Sequence, residues 1–168
     1  LKEFARYTSL NVLGMIGLSC YILADTFFVA KGLGTSGLAA LNLAIPVYSF
    51  IHGSGLMFGI GGATKFSISR KSGLSDLIFT NTLFFAGITA LLFFLAGLFL
   101  SPQITALLGA DSQVAAMTQT YLKMILLFAP AFILNDILVC FVRNDGNPRL
   151  SMLAMLGGSM ANILLDYV

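Results

Sequence analysis

Charge is what this sequence has least of. Only 10% of its 168 residues are Asp, Glu, Lys or Arg, against 58% hydrophobic residues, a balance that an ordinary soluble domain does not carry. The shortage excludes a water-facing surface and implies a lipid-facing one, in keeping with a mean hydropathy of +0.94. Nine Lys and Arg against seven acids leave no basic tract to follow a phosphate backbone, which argues against a nucleic-acid partner. Cysteine is nearly absent as well. Cys20 and Cys140 stand in apolar runs without CxxC spacing or a nearby His, so we expect two small buried apolar residues and no redox or metal site there. The glycine-rich run from Gly59 to Lys65 lacks the GxxxxGK[ST] pattern and a preceding strand, which excludes a phosphate loop.

What the chain does have is long apolar runs separated by charge. A hydrocarbon core about 30 Å thick takes about 20 apolar helical residues to cross, and five segments meet that need: residues 8–30, 36–64, 78–100, 116–141 and 149–168. The expected fold is all-α, a polytopic membrane helical bundle spanning residues 1–168. Ser101-Pro102 closes the third segment, and Gly109 to Ser112 leads into the fourth, with a short interfacial turn between. The run from Tyr7 to Ala24 has no small-residue cleavage site and reads as a permanent span, not a leader. The chain opens on Leu1 and stops at Val168 inside an apolar run, so we expect a piece of a longer polypeptide.

The loops also carry an orientation. Lys2 and Arg6, then Lys65, Arg70 and Lys71, then Arg143 and Arg149 fall on one side, while Lys31 and Lys123 fall towards the other. The positive-inside rule then gives a multi-pass protein of the cytoplasmic membrane with its N-terminus in the cytoplasm. Gly55 and Gly59 form a GxxxG spacing suited to close helix contact, and Pro46 and Pro130 mark bends within their spans.

Carboxylates inside a membrane are costly and mark functional pathways. Asp25, Asp136 and Asp166 are the candidates. Asp25 lies 19 residues beyond Arg6 and Asp166 lies 17 beyond Arg149, roughly 28 and 26 Å along a helix. Their common level suits one shared site. Tyr21 and Asn162, each four residues earlier, fall on the same helical faces. This hydroxyl, amide and carboxylate set suits a proton or a hard cation such as Na⁺, which Asp25, Asn162 and Asp166 would ligate. Asp136 stands only seven residues from Arg143, at a lower level, where it tunes the pathway or pairs with a neighbour through Asn135. His52, the single histidine, reads first as a polar interhelical contact and second as a proton relay. Phe27, Phe28, Phe84, Phe85, Phe93 and Phe94 serve packing or lipid contact more often than a drug pocket.

Four ordered motifs carry a family resemblance over nearly the whole chain. They are Ala24-Asp25-Thr26-Phe27-Phe28-Val29 with Gly32-Leu33-Gly34 and Leu38-Ala39-Ala40; Gly61-Gly62-Ala63; Phe141 to Pro148; and Gly158-Ser159 through Asn162 to Asp166. The sequence resembles the multidrug and toxic compound extrusion (MATE) transporters. The resemblance implies about twelve helices in two pseudo-symmetric bundles, with this chain supplying about five helices of the N-terminal six-helix half. It further implies a cation-coupled antiporter, not an enzyme, that exports small organic and often cationic compounds by alternating access. H⁺ or Na⁺ would be the coupling ion, with no other cofactor, and membrane lipid and the C-terminal half of the same polypeptide would be partners. Residues matching Tyr21, Asp25, Asn162 and Asp166 form the family's N-terminal cation site. Tyr167 stands where the family often has Pro. The alternatives are a lipid-linked saccharide flippase of the same superfamily and, more distantly, an intramembrane aspartyl protease, whose Tyr-Asp and Gly-x-Gly-Asp patterns are missing around Asp166.

Overall fold

The computed structural model describes residues 2–167, with the side chains of Lys2 and Asp166 outside the described residues. Helices follow one another as α1 (Lys2–Ile68), a 3-10 turn at Ser69–Ser72, α2 (Ser75–Phe99), α3 (Ser101–Leu107), α4 (Ala115–Asn144) and α5 (Pro148–Tyr167). Among the described residues there is no strand. Three stretches of the described residues are long and apolar enough to cross a membrane: Glu3–Ser72, Ser75–Phe99 and Ala115–Asn144. The fold is the all-α membrane bundle that the composition demanded.

An unbroken α1 of 67 residues would be about 100 Å long, some three times the hydrocarbon thickness. It is broken at Gly34, where φ is 63° and ψ is −152°. A side chain disfavours that backbone geometry, and glycine takes it freely. The helix folds back there into a first arm, residues 2–33, and a second arm, residues 35–68. Gly37 returns against Val29 and Leu33, so close that a Cβ on it would lie 2.4 Å from the Leu33 Cβ. The departure from helical geometry in α1 falls at Gly34 and not at Pro46, which stays within the helix. The interfacial turn after Ser101-Pro102 is the short helix α3, with proline in its first turn, where a missing N–H costs nothing.

α4 is the hub, packed on both arms of α1, on α2, α3 and α5. Its Leu126, Ala129, Ile133, Ile137, Cys140 and Phe141 form the core with Ile51 and Ala63 of α1 and Ala86 and Ala90 of α2. The neighbours contribute small side chains because lipid offers no hydrophobic drive between helices, so close van der Waals approach must supply the packing. Large residues such as Phe50, Phe84, Leu92 and Phe99 face outward. Cys140 is buried as expected, but Cys20 is exposed; it lies on an outward stripe of the first arm beside Ser19 and Ile16, a face no other described helix covers.

The basic connections meet at one end. Arg70 pairs with Asp145 across the turns that follow α1 and α4, and the Arg70 guanidinium lies over the Phe66 ring. Arg143 Nη1 donates to Asn11 Oδ1 at 2.6 Å, tying α4 to the start of α1.

Candidate functional site

The first arm of α1 and α5 run side by side in the same direction. A Cβ on Gly14 would touch Met155, and one on Gly17 would touch Leu156 and Ser159. Further along, the rings of Phe28 and Tyr167 meet edge to face at 6.4 Å. This register sets Tyr21 level with Asn162 and brings the Asp25 turn to the level of the α5 turn that contains residue 166.

A cavity of about 510 Å³ lies between the two arms, α4 and α5. Tyr21 faces it from the first arm, Tyr48 and His52 from the second, Phe132, Asn135 and Asp136 from α4, and Ser159 and Asn162 from α5. Asn11 and Arg143 lie at its basic end. Of the residues expected to couple transport, Tyr21 and Asn162 therefore share one cavity. Asp25, half-buried one turn beyond Tyr21, is not among the cavity's lining residues. The side chain of Asp166 lies outside the described residues.

The lower group is a built contact. His52 Nδ1 lies 2.9 Å from Asp136 Oδ2, with the two side chains 35% and 11% exposed. The GxxxG pair makes room for it. A Cβ at Gly55 would come within 2.6 Å of Asp136 Oδ2, and one at Gly59 would meet the Asp136 carbonyl and Cys140 Sγ, each at 3.1 Å. Asp136 thus pairs with His52 of the second arm and not through Asn135. His52 is a polar interhelical contact, as its plainer reading held, and its ring stacks on Tyr48 with 3° between planes and 6.1 Å between centroids. Tyr48 meets Phe132 edge to face at 5.6 Å and lines the same cavity as Tyr21. Since Tyr48 is level with Tyr21, the His52 and Asp136 pair sits about two turns, roughly 11 Å, below Asp25.

Sequence reasoning missed Tyr48 and Phe132, and none of the six phenylalanines it named lines the cavity. The signal for Tyr48 was present: it precedes His52 by four residues, the spacing that joined Tyr21 to Asp25. Phe132 had no local signal, because its role depends on which face of α4 turns to α1.

Comparison with known proteins settles the lineage. The MatE family model matches residues 12–168. The chain belongs to the MatE family. Multidrug export protein MepA of Staphylococcus saprophyticus is 32% identical over 172 residues, covering 99% of this chain and 38% of that protein. MepA of Staphylococcus aureus strain MRSA252 is 34% identical with the same coverage. This chain therefore spans well under half the length of the curated relatives it matches. Among solved structures, the MATE multidrug transporter DinF-BH in complex with R6G superposes with a TM-score of 0.83 at 28% identity over 96% of this chain and 37% of that one. A MOP superfamily transporter from Pyrococcus furiosus, whose binding pocket of reverse polarity is described as suggesting a different function, gives a TM-score of 0.89 at 26% identity over 96% and 36%. The broken α1, the central α4 and the parallel α5 are thus a MatE arrangement, and all the cavity's lining residues but Asn11 lie within the matched range.

Proposed function

We propose that the full-length protein is a cation-coupled antiporter that exports organic, often cationic, compounds by alternating access. The observation that carries this reading is the parallel register of the first arm with α5. It lets Tyr21 and Asn162 face one cavity and levels Asp25 with the turn of Asp166, as a shared coupling site requires. The names of the MepA relatives, multidrug export proteins, support export as the direction. In this reading Asp25 and Asp166 alternate between an ion-loaded and an ion-free state, with Tyr21 and Asn162 completing the oxygen set. Loading favours one helix arrangement and unloading the other, so the gradient drives the cycle only through differential affinity. The ion is H⁺ or Na⁺; for Na⁺ the ligands are Asp25, Asn162 and Asp166. No cofactor is called for beyond that ion. A second bundle of the same polypeptide closes the cavity, in the cytoplasmic membrane with the N-terminus inside.

The test is efflux of a cationic dye from proteoliposomes that hold the complete protein, with Na⁺ and pH gradients imposed separately. One gradient should drive efflux, and D25N or D166N should abolish the driven component. Full gradient-driven efflux by both variants sinks the site assignment, and efflux under neither gradient sinks coupled export. One further arm measures translocation of a lipid-linked saccharide by the same vesicles; movement of that cargo without dye efflux selects the flippase reading.

A further inference from the structure

α4 carries an acid that the proposed coupling set leaves unused. Asp136 is nearly buried, and Ile133 and Ile137 beside it on α4 are fully so. A carboxylate at such a place in a membrane bundle is costly unless it is partnered. The second arm of α1 supplies both the partner and the space: His52 Nδ1 at 2.9 Å from Oδ2, and at Gly55 a bare backbone where a Cβ would reach to 2.6 Å from the same oxygen.

With Asp136 ionised, Nδ1 carries the hydrogen and donates it to Oδ2, which leaves Nε2 with its lone pair. His52 lines the cavity. One proton taken from cavity water by Nε2 makes an imidazolium beside the carboxylate, and the pair passes from one negative charge to none. The groups that face the pair are few. Tyr48 stacks on His52 from the same arm, Tyr21 lines the same cavity from the first arm, and α4 brings Cys140 and Arg143 to the cavity wall. The α5 lining residues Ser159 and Asn162 do not titrate. Tyr48 and Tyr21 line one cavity with the pair, and Tyr21 stands one helical turn from Asp25, so polar side chains lie between the lower pair and the upper level.

We propose that His52 and Asp136 form a proton-binding site of the transport cycle, distinct from the Asp25 and Asp166 centre and opening into the cavity that Tyr48 and Tyr21 also line. The proposal rests on the exporter reading above. A cationic compound entering the cavity meets the same carboxylate that stabilises the imidazolium. Compound and proton therefore exclude each other, and by linkage each weakens the other's binding equally. Antiport follows from that exclusion: the arriving cation expels the proton, and the proton taken up on the other side expels the cation.

The experiment uses the full-length protein with H52Q and D136N, each of which keeps a hydrogen bond between the two positions. Proton release on addition of ethidium is read with a pH indicator in detergent, and ethidium efflux from proteoliposomes is read as a function of pH. Each variant should release about one proton fewer per protein, the capacity of one imidazole. Each should also lose efflux driven by a pH gradient by roughly 5-fold or more, the low end of ordinary coupling. The double variant should be no worse than either single one, as for two members of one site. G55A, which displaces the carboxylate and leaves both side chains present, should reproduce the loss, and it serves if H52Q or D136N fails to fold. Wild-type proton release and an unchanged pH profile in the folded variants overturn the proposal, as does efflux by the wild type that only a Na⁺ gradient drives. A wild type that moves dye under neither gradient overturns the exporter reading itself, which keeps the two failures apart.

Discussion

Thr118 shows how much a single polar atom can cost in this bundle. Its side chain is fully buried near the start of α4, and its Oγ1 has no hydrogen-bond partner among the described residues, whereas Thr105 in α3 returns its hydroxyl to the Ser101 carbonyl at 2.8 Å. A buried hydroxyl without a partner forfeits its hydration and gains nothing in exchange. Thr118→Val keeps the shape and removes the unmet group, so it should raise stability by about 1 kcal/mol. A thermal melt of the full-length protein in detergent checks this, and a lowered midpoint would mean that the hydroxyl has a role in the complete protein. Asp136 is the opposite case. Its Oδ2 is partnered by His52 and Gly55 leaves the carboxylate its room, so substitutions there remove a built contact and not a defect.

At the scale of elements, the decisive relation is the register between the first arm of α1 and α5. It rests on glycines that let the helices approach: the Cβ position at Gly14 lies 3.7 Å from the Met155 Cβ, within the Cβ separation of disulfides, about 3.5 to 4.5 Å. With Cys20 and Cys140 replaced by alanine, G14C and M155C in the full-length protein should therefore cross-link under mild oxidation. A pair shifted by one turn, G14C with S159C, should not. The reverse result, read as a mobility change on a non-reducing gel after cleavage between the two sites, would move the Asp25 turn away from the level of residue 166 and remove the geometric support for a shared coupling site. The sequence anticipated an all-helical chain. It did not anticipate the left-handed break at Gly34, since Gly32, Gly34 and Gly37 offer three places for a turn, and only the packing of both arms on α4 selects one.

For the whole molecule, the ion pair between Arg70 and Asp145 and the bond from Arg143 to Asn11 gather the basic connections at one end. Gly34 and the turn at Gly109 lie at the other. If the basic end faces the cytoplasm, a cysteine at Ser112 should react with a membrane-impermeant maleimide on intact cells, and one at Ser72 should react only after permeabilisation. Reversed labelling would overturn the orientation. The exposed Arg70 and Asp145 pair does not itself hold the bundle together, since surface ion pairs contribute only about 0 to 1 kcal/mol; its value is as a marker of which ends meet.

The sequence by itself determined the solvent, the secondary structure and the class. Scarce charge and long apolar runs leave lipid as the only compatible medium, and a backbone in lipid must satisfy its own hydrogen bonds, which these runs do as helices. Motif order carried the MatE resemblance, and helical rise was enough to set Asp25 and Asp166 at one height. What only the tertiary structure decided was lateral: which faces meet. The pairing of His52 with Asp136 joins residues 84 apart on two helices that run the same way, the second arm of α1 and α4, and no local period reports rotation about a helix axis when lipid and protein faces are alike apolar. The glycines at 55 and 59 announced a close contact; that the contact holds a carboxylate became visible only when α4 was in place against them.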